Sequence, residues 1–303
     1  MAPLTKYRSE DRITADLINN MYSVAEKSRN NGRDRNYLGM SEIGKPCDRE
    51  LWLNFRGFPQ VPTEGRIVML FEFGDMIEDR IIHWLRKAGY SVSDQQLSFE
   101  SHNGWFKGHC DGTISGVTKK DHILEIKSAN KNKFDSFKRF GVRKTYPVYY
   151  SQVQCYMGYS SLERTLVIVQ CKNTSEIYAE RIYFNNTDFQ ALHRRGLDII
   201  SANIIPPRPF GPNSFECKYC NQRIVCYHPE GVPMETKCNY CCFYGFWGLK
   251  QYCWHPKHPY RLQSFSGCPD WTCMFEKLTS GPKPDYEKVK PDDLKEFDAE
   301  QRT

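Results

Sequence analysis

The sequence has no long run of apolar residues. A helix that spans a bilayer needs about 20 consecutive, mainly apolar residues, and no stretch of this 303-residue chain approaches that length. The opening residues, MAPLTKYRSEDR, contain no apolar segment of the kind found in secretory signals. Since 26% of the residues are also charged, we expect a cytoplasmic protein that makes no membrane contact.

The sequence also has little excess charge of either sign. Lysine and arginine number 42 against 36 aspartates and glutamates, which gives a formal charge of +6. That charge permits a nucleic-acid partner but does not require one. Hydrophobic residues make up 40% of the chain, which is enough for the core of one α/β domain with a small second module.

Cysteines are plentiful by contrast. There are 13, of which nine lie between Cys217 and Cys273. A reducing cytoplasm disfavours structural disulfides, so a cluster of cysteines there indicates metal ligation.

Composition divides the chain into four predicted segments. Residues 1–36 are polar and contain one helix and a linker. Residues 37–230 alternate helices and strands and form the main α/β domain. Residues 231–279 form a Cys-rich module, and residues 280–303 are mostly charged and predicted to be disordered.

Two short stretches, GHCDG and ILEIKS, carry candidates for metal-dependent chemistry. Alternate side chains of a strand share a face, so Glu125 and Lys127 should point the same way. Pairing with the preceding strand would bring Asp111 beside them. Two carboxylates suit Mg²⁺ or Mn²⁺, and a lysine can offset charge in a transition state. The alternative is an ordinary strand pair with solvated ends.

These stretches resemble the PD-(D/E)xK nuclease superfamily, especially its RecB-like branch and phage exonucleases of the lambda exonuclease type. HCDGTI and ILEIKSA look like the Asp and Glu-x-Lys elements, and YYSQVQCYMGY resembles the YxxQxxxY helix. The resemblance implies a restriction-endonuclease-like α/β core, in which helices flank a mixed central β-sheet. Asp111 and Glu125 would then bind the metal and Lys127 would assist the attacking water. Gln152 and Tyr156 would lie near the active site and hold the lysine and the DNA; without the resemblance, they fit one face of a half-buried helix.

A helix is predicted upstream of these strands. Apolar residues recur at helical spacing over about Leu70–Ala88 and include Phe73, Ile77, Ile81 and Trp84. The pattern predicts one apolar stripe that faces the core.

The same helix supplies a further carboxylate in the resemblance. RecB-like nucleases carry a metal-binding histidine where this chain has Ile77, whereas the lambda-like version carries a glutamate that matches Glu78. We therefore predict Glu78 as the third metal ligand, with Glu72 and Asp75 as alternatives. The non-functional interpretation of Glu78 is a solvated residue at the edge of the apolar stripe.

A first group of cysteines has the spacing C-x2-C-x5-C, formed by Cys217, Cys220 and Cys226. Together with Cys47 in the stretch PCDRELW, it resembles the RecB-like nucleases that hold a [4Fe–4S] cluster, including the CRISPR-associated adaptation nucleases. The resemblance implies such a cluster on these four cysteines. The alternative is a zinc site in which His228 replaces Cys47.

A second group has the spacing C-x2-C-x11-C-x14-C, formed by Cys238, Cys241, Cys253 and Cys268. This spacing is typical of a zinc ribbon or knuckle. Other cysteines and histidines of the module could replace one of the four: Cys242, His255, His258 and Cys273.

A basic and aromatic stretch lies between the Glu-x-Lys strand and the glutamine helix. Basic groups bind phosphates and aromatic rings stack on unpaired bases, although the same pattern also fits a solvated helix whose phenylalanines face the core. The basic residues are Lys131, Lys133, Lys138, Arg139, Arg143 and Lys144. The aromatic residues are Phe134, Phe137, Phe140, Tyr146, Tyr149 and Tyr150.

The sequence thus predicts a metal-dependent deoxyribonuclease, most simply an exonuclease acting in phage DNA recombination, repair or degradation. Its partners would be DNA ends or single strands, with a recombination or replication protein as a further candidate, in the host cytoplasm if the source is viral. The alternatives are a structure-specific nuclease on the same site and a non-catalytic nucleic-acid-binding or assembly factor.

Overall fold

A computed structural model describes residues 12–30, 36–235, 237–255, 260–261 and 273–275. The predicted disordered segment 280–303 lies outside the described residues. Within the described part, no helix combines the length and apolar character needed to cross a membrane.

Helices and strands both contribute to the described chain. The helices are α1 (Arg12–Asn30), α2 (Asp48–Phe55), α3 (Gly65–Lys87), α4 (Lys131–Thr145), α5 (Pro147–Gly158), α6 (Asn186–Ser201), α7 (Phe215–Lys218) and α8 (Arg223–Tyr227). The strands are β1 (Leu38–Gly39), β2 (Ser91–Ser93), β3 (Ser98–Ser101), β4 (Phe106–His109), β5 (Gly112–Ser115), β6 (His122–Ala129), β7 (Arg164–Cys171), β8 (Ile177–Tyr183), β9 (Tyr244–Trp247), β10 (Lys250–Cys253) and β11 (Tyr260–Arg261).

The central sheet has five strands in the order β2-β5-β6-β7-β8. β6 and β7 run parallel, and the other neighbours run antiparallel. A parallel pair needs a crossover, which α4 and α5 provide between β6 and β7. The prediction of a mixed central sheet flanked by helices is confirmed.

Helices cover both faces of this sheet. On one face, Ile77 and Ile81 of α3 pack with Leu124 and Ile126 of β6. On the other face, a larger apolar cluster joins the sheet to residues of α2, α4, α5 and α6. Burial on both faces explains the continuous apolar run at residues 166–169 of β7.

Helix α3 departs from its predicted start and stripe. It begins at Gly65, where a side-chain Cβ would lie 1.9 Å from the carbonyl oxygen of Tyr22 in α1, so that the close crossing requires glycine. Apolar periodicity does not register a glycine, which is why the prediction began about a turn too late. Phe73 and Trp84 are 43% and 53% exposed, so their assignment to a core-facing stripe is wrong, whereas Ile77 and Ile81 are buried as predicted.

Two small sheets complete the described fold, in the orders β1-β4-β3 and β11-β10-β9. The Cys-rich strands pack onto the main domain. Trp105 donates its indole N–H to the carbonyl of Leu249 at 3.0 Å, and Phe55 and Trp105 both contact the ring of Phe246. The four-segment division of the chain stays a prediction.

Candidate active site

Strand pairing assembles the carboxylates. In the β5–β6 ladder, Gly112 faces Leu124, so Asp111 enters β5 level with the middle of β6. Its Oδ2 accepts a 2.6 Å hydrogen bond from the backbone N–H of Ile126. Asp111 is only 8% exposed. The hydrogen bond to β6 holds its carboxylate beside the strand that carries Glu125.

Glu125 lies at the centre of the site and is 1% exposed. Its Oε1 accepts a 2.8 Å hydrogen bond from the side-chain amide of Gln152 and forms an ion pair with the ammonium of Lys127. Its Oε2 is buried and has no hydrogen-bond partner among the described residues. A buried carboxylate oxygen without a partner is costly, so this atom is suited to binding a cation.

Helix α5 holds Glu125 through a chain of hydrogen bonds. The Gln152 amide also donates to the hydroxyl of Tyr156 at 2.8 Å. That hydroxyl donates in turn to the carbonyl of His109 at 2.7 Å. The structure therefore brings Gln152 and Tyr156, both singled out in the sequence, into one network that joins α5, β6 and the end of β4.

Lys127 is positioned by charge and by an aromatic ring. Burial alone would lower its pKa, but the carboxylates of Glu125 and Asp111 outweigh burial and raise it. The ammonium lies 5.2 Å from the centre of the Tyr149 ring, an attractive arrangement for a cation. Sequence reasoning placed Tyr149 among possible DNA contacts. Its position three residues before Gln152, on the same helical face, was the signal that it belongs to the active site.

Helix α3 contributes the fourth element. Glu78 accepts a 3.2 Å hydrogen bond from the amide of Gln96. Burial and the neighbouring charge of Asp111 raise the pKa of Glu78 from 4.5 to about 7. Ile77, which stands where RecB-like nucleases have histidine, is buried against the sheet. Both alternatives, Glu72 and Asp75, are exposed; of the two, Asp75 acts electrostatically on Glu78 and Asp111.

The charges of the site favour a divalent cation. Burial, against the opposing effect of Lys127 and with the added charges of Asp111 and Glu78, raises the pKa of Glu125 to about 8. Burial also raises the pKa of Asp111. The described residues hold no group of three His, Cys, Asp or Glu side chains already arranged around a metal position. The fit rests on the oxygen chemistry of the three carboxylates and on the unpartnered Oε2 of Glu125.

The first group of cysteines surrounds one small cavity. Cys47, Cys217, Cys220 and Cys226 all line it, although the first lies at the start of α2 and the others in and beside α7 and α8. His228, the alternative fourth ligand, does not line the cavity. It is exposed and lies 3.6 Å from the carboxylate of Glu230.

Side chains around the cavity fix the thiols. The Nε–H of Arg49 donates to the sulfur of Cys226 at 3.1 Å, and an Nη1–H of the same guanidinium donates to the carbonyl of Pro206 at 2.8 Å. Cys47 caps α2 by accepting the backbone N–H of Glu50 at 3.4 Å. Burial raises the pKa of Cys47. Such a thiol is protonated without a metal and loses its proton to one.

The second group of cysteines is described in part. Cys238 and Cys241 lie in one tight turn, closed by a 2.8 Å backbone hydrogen bond. Cys241 pairs with Cys273 in a β-bridge, and Cys253 ends β10. The predicted ligand Cys268 and the alternative His258 lie outside the described residues.

The basic stretch after β6 is α4, and many of its charges are paired within the protein. Lys131 lies 2.6 Å from Asp135, and Arg143 lies 3.0 Å from Asp188. Phe134 is fully buried. These contacts favour the structural interpretation of α4 over a dedicated DNA-binding surface.

Neither protein-family profiles nor curated proteins give a match to the chain. Solved structures do. The crystal structure of SSO0001 is 14% identical with a TM-score of 0.44 and covers 73% of this chain and 100% of that one. An alkaline exonuclease from Laribacter hongkongensis is 14% identical with a TM-score of 0.41, over 60% of this chain and 90% of that one.

A phage-related exonuclease from Haemophilus somnus 129PT is 15% identical with a TM-score of 0.33, over 41% and 66% of the two chains. Scores and identities this low assign neither a family nor an activity to the chain.

Proposed function

We propose that this chain is a divalent-metal-dependent DNA nuclease of the PD-(D/E)xK type. The proposal rests on the different environments of the two carboxylate oxygens of Glu125. One of its oxygens is held by Gln152 and Lys127, and the other is buried without a partner among the described residues. Buried polar atoms of side chains that only stabilise a fold are in most cases hydrogen-bonded, and a buried carboxylate oxygen is the kind of ligand that a divalent cation binds.

The residues of the site divide the work between them. Asp111 and Glu125 would hold Mg²⁺ or Mn²⁺, with Glu78 completing the carboxylate set. The cation, when bound, supplies positive charge that polarises the scissile phosphate and makes water more acidic. Lys127 would place its ammonium beside the attacked phosphate and offset the negative charge that develops there. Gln152 and Tyr156 would keep Glu125 in a single orientation.

The finer parts of the proposal are the mode of cleavage and the setting. We propose hydrolysis from DNA ends or single strands, in phage recombination, repair or degradation, with the protein in the cytoplasm. These parts rest on the resemblance of HCDGTI, ILEIKSA and YYSQVQCYMGY to RecB-like and lambda-type exonucleases.

Two metal centres are proposed apart from the active site. The first would be a [4Fe–4S] cluster on Cys47, Cys217, Cys220 and Cys226. The cavity that all four cysteines line supports this proposal, and it favours Cys47 over His228 as the fourth ligand. The Cys-rich segment would bind Zn²⁺ through Cys238, Cys241 and Cys253, with Cys268 as the predicted fourth ligand. Elemental analysis of anaerobically purified protein separates iron with sulfide from zinc at the first centre.

The test of the function is digestion of end-labelled linear and circular DNA with Mg²⁺ or Mn²⁺. We expect the wild type to shorten linear DNA progressively and to leave the circle intact. Glu125→Ala and Lys127→Ala should each abolish cleavage. If the wild type cuts nothing, or if both variants cut like the wild type, the chain is not this nuclease, and a non-catalytic nucleic-acid-binding role would replace it.

A further inference from the structure

A basic groove runs along α3 next to the candidate active site. Its floor is Ile82, which is 2% exposed, and its walls include His83, Arg86 and Lys87 of α3 and Gln95 of the loop after β2. All four wall side chains are exposed. Asp79 is the acidic residue that also lines the groove, so the arginine and the lysine leave an excess of positive charge.

The groove is physically joined to the active site. Gln95 accepts a 3.1 Å hydrogen bond from Arg86, and its neighbour Gln96 donates to Glu78 at 3.2 Å. Arg86 also donates to the carbonyl of Val92 at 3.0 Å. One loop thus edges the groove and touches the carboxylate set, so a chain leaving the site along this loop would enter the groove.

The loop is held in an unfavourable backbone conformation. Asp94 and Gln96 have φ angles of 49° and 59°, the left-handed region that costs a non-glycine residue free energy. Hydrogen bonds compensate, since the carboxylate of Asp94 accepts from Thr113 at 2.7 Å. Backbone strain of this kind collects at functional sites. Here its effect is to turn Gln95 and Gln96 toward α3.

We propose that this groove holds the phosphodiester backbone of the DNA strand next to the nucleotide being cleaved. The inference rests on the proposed nuclease function and adds the residues that position the substrate. Arg86, held by Val92 and Gln95, forms the fixed wall. Lys87 and His83 are the exposed groups that contact phosphates. About 14 Å of helix separates Glu78 from Lys87, so the contacted phosphates lie a few nucleotides from the cleaved one.

Binding of a fluorescent DNA with a single-stranded end tests the groove, measured in the Glu125→Gln background so that the substrate survives. Lys87→Ala and His83→Ala should weaken binding severalfold, equally for all sequences. For Lys87→Ala, the slope of log affinity against log salt should fall by about 1. The matched control is Arg66→Ala, an exposed arginine on the same helix about 30 Å away along its axis. An unchanged slope in Lys87→Ala, or an equal loss in Arg66→Ala, would overturn the proposal.

A second measurement locates the contact. Phosphates are replaced one at a time by uncharged methylphosphonates, counting from the cleaved end. At the contacted phosphate the replacement should weaken binding of the parent protein but not of Lys87→Ala, because the same contact is already lost. Additive losses at every position would exclude a phosphate in the groove. Cleavage is scored separately on the wild-type protein. If the wild type cleaves DNA but Lys87→Ala leaves the salt slope unchanged, the groove alone is rejected. If Lys87→Ala lowers the slope but the wild type does not cleave, the nuclease is rejected and the groove is supported as a DNA-binding surface.

Discussion

The carboxylate–lysine site and the cysteine cavity are built in opposite ways. Asp111, Glu125 and Lys127 come from neighbouring strands, and backbone pairing with one buried network fixes them. The cysteines of the cavity come from the start of α2 and from the short helices α7 and α8, which are far apart in the sequence. Strand pairing would keep the carboxylates and the lysine in place when their cation is removed. The arrangement of the four cysteines would depend on the metal that the thiols bind. Damage to the first should therefore affect the chemistry, and damage to the second should affect the fold.

The largest effect should come from Glu125→Gln, which keeps the shape but removes the charge at the unpartnered oxygen. We expect cleavage to fall by about 10³-fold or more, because the cation and the buried carboxylate act as a unit. Circular dichroism should show a folded protein. Glu100→Gln is the control, since Glu100 pairs with Lys107 away from the site. A loss of less than about tenfold in Glu125→Gln would mean that this residue is not a metal ligand.

Cys47→Ser tests the other half of the comparison. Closing the loop of about 170 residues between Cys47 and Cys217 is worth about 5 kcal/mol in the chain-entropy model. A metal that binds both ends of the loop contributes this closure to the stability of the fold. We expect loss of bound iron or zinc and a lower free energy of unfolding in urea. Cys155→Ser is the control for metal content, because Cys155 is buried in α5 away from the cavity. Its buried hydroxyl should lower stability while the bound metal is kept. If Cys47→Ser keeps both its metal content and its stability, the cavity does not join α2 to α7 and α8 through a bound metal.

Local patterns predict what lies within a few residues along the chain. The alternation in ILEIKS and the four-residue spacing of Gln152 and Tyr156 are enough to put these side chains on the right faces. The mixed sheet was predicted from the resemblance of these motifs to the PD-(D/E)xK nucleases rather than from local pattern. Cysteine spacing grouped Cys217, Cys220 and Cys226, and the resemblance added Cys47, the fourth cysteine that lines the cavity.

Local sequence patterns do not predict contacts between residues that are far apart along the chain. Gln96 reaches Glu78 only because the loop after β2 turns back onto α3. Phe134 and the ion pairs of α4 show the same limit: basic residues beside a site read as a DNA surface until their acidic partners, which are distant in sequence, are known. Exposure of Trp84 and Phe73 depends on which parts of α3 other elements cover.

Gln152→Leu gives an intermediate effect that sharpens the comparison. It removes the hydrogen bonds to Glu125 and Tyr156, and loss of such outer partners costs roughly 10–100-fold in metal affinity or activity. We expect the Mn²⁺ concentration for half-maximal cleavage to rise by that factor. Gln154→Leu is the matched control: this buried glutamine of the same helix bonds the backbone at Tyr183 and Asn185, so its loss should lower stability while leaving the Mn²⁺ dependence unchanged. Equal metal dependence in both variants would remove Gln152 from the site.

The smallest effect is a pH dependence that ties the active-site carboxylates to stability. The folded, metal-free chain raises the pKa of Glu78 from 4.5 to about 7 and that of Glu125 to about 8. Below about pH 4.5 folding benefits fully from these protonated groups, and that stability is lost as the pH rises through 7 and 8. A divalent cation competes with the same protons, so the increase in Tm caused by Mg²⁺ should grow across this window.

Thermal unfolding with and without Mg²⁺, from about pH 6 to pH 9, measures this linkage. In Glu78→Gln the Mg²⁺-induced increase in Tm should vary less with pH, and the remaining variation should move to lower pH because Glu78 no longer raises the pKa of Glu125. A Mg²⁺ effect that does not vary with pH would mean that the cation binds elsewhere. The cavity thiols are a built-in comparison, since a Cys47→Ser protein should be less stable at every pH yet show the same Mg²⁺ dependence. If Cys47→Ser changed the dependence of Tm on Mg²⁺, the active site and the cavity would be energetically coupled.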